Sequence, residues 1–147
     1  MKMAPIRVSA TVAATPTTIW ETCFAHMKWQ MWDPDLEEVK DVSGGCEEGS
    51  TCTFAMKDGN NIPMKLTNVK KNESVDFSGA MFGGMLRAEG KVLISEVDYA
   101  ISKIDYSFEL QGILGSVVSI IKKKECVEGT KGGLANMVEL SEKAQKK

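Results

Sequence analysis

The sequence predicts an α+β fold: a curved antiparallel sheet of about seven strands, two short helices near the N-terminus and one long C-terminal helix. Three observations carry this. An alternating N-terminal segment gives way to a proline-initiated helix. From residue 36 to 110 the apolar period is two, broken by glycine-containing turns. Beyond residue 113 the period lengthens to that of a helix.

Residues 5–13 alternate, with Ile6, Val8, Ala10 and Val12 on one face of a strand. Thr15 then offers an N-cap oxygen, and Pro16 stands at the first helical position, where its missing N–H costs nothing. A helix over about 16–25 gathers Ile19, Trp20, Cys23 and Phe24. Trp29 and Trp32 follow in a short turn or broken helix. Pro34 disfavours helical geometry for Asp33 and forces the chain to turn, so Asp33-Pro34-Asp35 reads as a turn former. Strands are expected at 36–43, 51–57, 62–70, 74–82, 86–96 and 99–110. Gly44-Gly45 to Gly49 make a loop, Asp58-Gly59 is a hairpin dipeptide, and Gly83-Gly84 suit a tight primed turn. In the last third Ile113, Val117, Ile120 and Ile121 share a helical phase with Val127, Leu134 and Val138. One long helix with that face buried is the expectation. Gly129, Gly132 and Gly133 interrupt it, each weakening a helix by ~1 kcal/mol relative to Ala. A local distortion is therefore expected there, where an enclosed space could open.

Ile6 to Ala13 followed by Thr15-Pro-Thr-Thr-Ile-Trp20, then Trp29-x-x-Trp32-Asp33-Pro34 and later Gly45 and Gly49, resemble the polyketide cyclase/dehydratase and START-like (SRPBCC, Bet v 1-like) superfamily. The resemblance covers nearly the whole chain and is strongest over residues 6–56. It implies a helix-grip fold, in which the sheet and last helix enclose an apolar cavity, and one ligand-binding domain over residues 1–147. Members of the superfamily include lipid carriers, ligand sensors and cyclases, so the resemblance speaks to fold more firmly than to activity.

The net charge of −2 argues against a nucleic-acid partner, which asks for a basic stripe and a high pI. The longest nearly apolar run, Ile113 to Ile121, is far short of the ~20 residues that span a bilayer. The N-terminal stretch Met1-Lys-Met-Ala-Pro lacks the apolar core of a secretory signal. A cytoplasmic protein, monomeric or weakly dimeric, is the expectation. Cys23, His26, Cys46 and Cys52 could supply four zinc ligands, but their spacing repeats no zinc knuckle. Neither a metal nor a cofactor is expected, and the four cysteines read as reduced, partly buried thiols.

On the inner faces of the strands the alternation places Phe54, Met56, Met64, Leu66, Phe77 and Met81, then Ile104, Tyr106 and Phe108. Val117 and Ile121 are expected to face them from the last helix. These eleven are the candidate ligand-binding residues. The meander's charges, among them Lys65, Asp76, Lys91 and Lys103, fall on the opposite faces. Polar groups able to orient a ligand inside are few: Ser102, Tyr106 and Asn68. Nine methionines suit a wall that accepts more than one ligand shape, although methionine also fills core gaps.

The leading expectation is transport or sequestration of a small hydrophobic molecule such as a lipid, sterol, isoprenoid or polyketide. A cofactor-free polyketide cyclase or dehydratase is the alternative, with His26 and Tyr106 as candidate catalytic groups. A protein-interaction adaptor with a collapsed cavity is the third. The three tryptophans read as core packing ahead of ligand stacking. Lys122-Lys123-Lys124, directly after Ile120-Ile121, could touch anionic lipid transiently; a solvated helix face is the plainer alternative.

Overall fold

A computed structural model describes residues 4–147, apart from the side chains of Ser116 and Ser119. Residues 1–3, part of the stretch that lacks a secretory core, lie outside it.

Strand β1 (Ile6–Val12) leads into helix α1 (Pro16–Cys23). Thr15 caps α1 as its sequence position predicts, its Oγ1 accepting from the Thr18 N–H at 3.1 Å. A 3-10 segment, Ala25–Met31, follows, and then the meander β2 (Leu36–Ser43), β3 (Thr51–Met56), β4 (Asn61–Lys70), β5 (Ser74–Met81), β6 (Leu86–Asp98) and β7 (Ile101–Gln111). Helix α2 (Ile113–Gln145) ends the chain. The seven strands form one antiparallel sheet in the order β1-β7-β6-β5-β4-β3-β2. β1 and β2 are consecutive along the chain yet occupy opposite edges, so α1 and the 3-10 segment bridge one end of the sheet. Register breaks at Lys40/Ser43, Thr67/Lys70 and Glu96/Asp98 locally bend and twist the strands.

The core sits between the concave face of the sheet, α1 and the second half of α2. Trp29 and Trp32 are its largest fully buried side chains. Trp32 stacks edge-on to Tyr106 and Phe24, with ring centroids 5.7 and 5.9 Å away, and donates its Nε1–H to the Cys23 carbonyl at 2.9 Å. Trp29 stands edge-on to Phe77 at 5.5 Å. Trp29 and Trp32 thus tie the helix corner to β5 and β7.

Two expectations about α2 are corrected. The distortion lies at Lys122 (φ −112°, ψ 18°), ahead of the glycines at 129–133. Those glycines serve close approach instead. A Cβ on Gly129 would meet Asp35 Oδ2 at 2.5 Å, and one on Gly133 would meet the Trp32 ring at 3.3 Å and Tyr106 at 3.5 Å. Missing side chains let the helix lie directly on the tryptophan corner. The second correction concerns phase. Thr130, Leu134, Met137 and Ser141 are buried, whereas Ile113, Val117, Ile120 and Ile121 are exposed. The kink separates two helical segments whose buried faces differ. The C-terminal end is further tied down by hydrogen bonds from the Ala13 N–H to Glu142 at 2.9 Å and from the Thr15 N–H to Gln145 at 3.0 Å.

Gly90 shows how closely the inner face is packed. It pairs with Phe77 on β5 and Phe108 on β7, and a Cβ there would run into the Phe77 ring. Gly90→Ala is expected to lower stability by about 1–3 kcal/mol through overpacking, measured as a shift in the urea midpoint at unchanged slope.

Candidate functional site

Between the sheet and the first segment of α2 the side chains leave a cavity of about 350 Å³. That lies at the small end of the ~300–1,000 Å³ range of ligand sites. It adjoins an open groove of about 550 Å³ that continues along α2 past the 33–35 corner. Asp33, Met56, Asp58, Tyr106, Phe108 and Lys122 border both spaces.

The wall follows from strand alternation. Phe54 and Met56 on β3, Met64 on β4, Phe77 and Met81 on β5, and Tyr106 and Phe108 on β7 all border the cavity. Ile62, Leu86, Ala88 and Leu110, also inward by alternation, join them. Leu66 and Ile104 point the same way but are fully buried in the closed core. Val117 and Ile121 do not face the sheet: the helix presents Val118 and Lys122 to the cavity. The 118/122 pair is one turn apart on one side, while 117 and 121 lie about a third of a turn round.

Of the polar candidates, only Tyr106 borders the cavity. Ser102 is spent on the Ala14 carbonyl, to which its Oγ donates at 2.7 Å. Asn68 takes a left-handed conformation (φ 51°) in the β4–β5 irregularity and donates to Asp76 at 2.8 Å. His26, the other candidate catalytic group, does not border the cavity either. The chain turns at His26 and Met27, both at φ 58°, which buries Met27 and leaves His26 exposed beside a separate groove with Glu47, Glu48 and Lys71.

Asp33 is the residue that sequence reasoning missed as a site. It does form the turn: its Oδ1 accepts the Asp35 N–H at 3.0 Å and its carbonyl accepts from Leu36 at 3.3 Å. The same carboxyl also lies on the wall shared by cavity and groove. Burial pushes its pKa up to about 6; the Asp35 N–H and Lys57 act against that shift, and the Asp35 charge adds to it. The one available signal was its place directly after Trp32, since a residue adjoining a buried indole starts its side chain at the core boundary. Tyr106 is buried, and burial with the nearby Asp33 and Asp35 charges raises its pKa, so its phenol stays neutral and can donate.

Burial likewise raises the thiol pKa of Cys23 to about 11, of Cys46 to about 12 and of Cys52 to about 11. All four cysteines, Cys126 included, are free thiols. Among the described residues, no three His, Cys, Asp or Glu side chains are placed to hold a metal ion. No helix of the described residues is long and apolar enough to cross a membrane.

No protein-family profile matches the chain, and no curated protein is similar to it at a significant level. Solved structures are similar in fold. A Thermobifida fusca protein determined by solution NMR superposes with a TM-score of 0.74 at 13% identity, covering 97% of this chain and 96% of that one. A hypothetical protein from Helicobacter pylori gives 0.77 at 10% identity, covering 94% and 88%. The allergen Ara h 8.0201, a Bet v 1 homologue, gives 0.71 at 14% identity, covering 94% and 97%. At these identities the likeness concerns fold alone, and with the topology above it shows that this chain has the Bet v 1-like helix-grip fold.

Proposed function

We propose that the protein binds a small, mainly apolar molecule in the cavity between sheet and helix, for transport or sequestration. The observation that carries this is the cavity itself: about 350 Å³ lined mainly by phenylalanine, methionine and aliphatic side chains, with a few polar groups among them. Burial of an apolar ligand there is favourable at roughly 25 cal/mol per Å². The polar lining residues, Asp33, Asp58, Asn60, Tyr106 and Lys122, suit a ligand bearing one hydrogen-bonding oxygen, such as a hydroxyl or carbonyl. We place the proposed activity in one ligand-binding domain spanning residues 1–147.

A second reading, a cofactor-free cyclase or dehydratase, is favoured by one observation. Asp33, with its pKa near 6, and the neutral phenol of Tyr106 border the same apolar space. A carboxyl poised near neutrality can move a proton while a phenol polarises a carbonyl. His26 has no part in this version.

Native mass spectrometry of gently purified protein tests the carrier reading, repeated after organic-solvent denaturation. A discrete hydrophobic adduct released by solvent is the expected result. Absence of any adduct, together with no uptake of fluorescent apolar probes by the purified protein, would overturn it. Turnover of a polyketide analogue that fails in both Asp33→Asn and Tyr106→Phe would favour the enzyme.

A further inference from the structure

The first segment of α2 carries more apolar surface than its cavity wall uses. Val118 faces the cavity, with Lys122 one turn on. On the other side Ile113, Val117, Ile120 and Ile121 are 80%, 52%, 75% and 71% exposed. The loop before β6 extends this face. The Met85 carbonyl accepts the Leu114 N–H at 2.8 Å, so the loop and the helix start form one surface, on which Phe82 and Met85 are also exposed. Phe82 borders the cavity as well, and it sits at φ 55°, a left-handed conformation that is strained for a bulky residue. A helix segment apolar on both sides calls for a second apolar phase beyond the one it already covers.

The adjoining lysines indicate which phase. Lys122, Lys123 and Lys124 are all exposed, and among the described residues none of them lies within ion-pair distance of a carboxylate. Lys123 and Lys124 follow within a turn of the exposed Ile120 and Ile121, so exposed basic side chains adjoin the exposed apolar face. The acidic groups nearby, Asp33, Asp35, Asp58 and Glu125, line the groove behind the helix. Apolar side chains rimmed by exposed lysines match a lipid surface with anionic head groups. A second copy of this chain, which would bring the same lysines to the contact, fits less well.

We infer that the mouth of the cavity docks on an anionic lipid membrane. Ile113, Val117, Ile120, Ile121 and Phe82 enter the head-group boundary, and Lys123 and Lys124 pair with lipid phosphates. The docked face reaches the cavity at Phe82, which is exposed and also borders it, so an apolar molecule could pass between bilayer and cavity without crossing water. That last step rests on the ligand-binding proposal; the docking itself does not.

The test uses the full chain stripped of bound lipid and vesicles of phosphatidylcholine with or without phosphatidylserine, read by co-sedimentation. Binding to the anionic vesicles at low salt is expected to exceed binding to neutral ones by roughly tenfold or more. Lys123→Gln/Lys124→Gln should weaken it by a similar factor, and Ile120→Ser/Ile121→Ser should abolish what survives in higher salt. Neither pair borders the cavity, so both variants should take up a soluble apolar probe as the unmodified protein does. Equal binding to both vesicle types, or unchanged binding by the variants, overturns the inference. So does an absence of vesicle binding. If sedimentation then shows self-association that Ile120→Ser/Ile121→Ser removes, the face is an interface between copies. Vesicle binding without any probe uptake would overturn the ligand-binding proposal and leave the docking standing.

Discussion

Replacing Trp32 by alanine is expected to lower the unfolding free energy by about 3–5 kcal/mol, the range for a large aromatic removed from a closed core. The ring is 1% exposed and stacks on Phe24, Trp29 and Tyr106, which come from the end of α1, the 3-10 segment and β7. Its indole N–H holds the Cys23 carbonyl at the end of α1, and that carbonyl would lose its partner. Collapse into the gap is restricted, because Gly133 already brings α2 against the ring. A domain of this size has about 5–15 kcal/mol in all, so the variant should melt roughly 10–15 °C lower. Trp32→Phe keeps an aromatic body but drops the hydrogen bond, and should lose about 1–2 kcal/mol. Circular dichroism melts and urea titrations read both. An alanine variant within about 1 kcal/mol of the parent would mean that α2 and the sheet hold each other without the tryptophan corner.

Where the signal is local, the sequence was sufficient. β2 falls at the expected 36–43, and the glycine turns at 44–49, 58–59 and 83–84 separate strands as expected. Period-two alternation and turn chemistry depend on neighbours within a few residues, and so they survive folding unchanged. The start of α2 is the opposite case. Residues 113–121 are apolar nearly all round, so their spacing admits more than one buried face, and the kink that chooses between them occurs at a lysine without distinctive propensity. Gly129 to Gly133 misled for a related reason. A glycine in a helix looks like a breaker from sequence, but here it is the absence of a Cβ that a distant tryptophan and carboxylate require. Asn68 and Ser102 alternate inward correctly as letters. A bulge and a backbone acceptor, neither visible locally, take them away from the cavity. Asp33 was hidden because its surroundings come from β3, β7 and α2, all remote in sequence.

Asp33 also gives the site a pH dependence with a definite sign. The groups lining the space around it are Asp35, Lys57, Asp58, Tyr106, Lys122 and Glu125, from its own loop, the β3–β4 turn, β7 and α2. Its pKa rises from 3.8 to about 6 on folding. Between those values the folded state keeps a proton that the unfolded chain has released, so stability falls as pH rises through the window. The loss is about 1–2 kcal/mol once solvent screening is allowed for, complete above the folded pKa. Asp33→Asn retains an oxygen for the Asp35 N–H and cannot ionise, so its stability should be flat over the same window. Ligand binding should change in step. Below the folded pKa the Asp33 carboxyl can donate a hydrogen bond to a carbonyl on an apolar ligand; above it Asp33 offers only acceptor oxygens and a negative charge. Affinity for a carbonyl-bearing apolar probe is therefore expected to drop roughly tenfold as the pH rises through the folded pKa. Asp33→Asn, which carries an N–H donor at every pH, should bind without that drop. Tyr106→Phe should weaken binding at all pH values and leave the midpoint where it was. Fluorescence titration of the probe at a series of pH values separates the three. If Asp33→Asn keeps the parent's slope, the titrating group lies elsewhere on the wall and Asp33 is only a turn former.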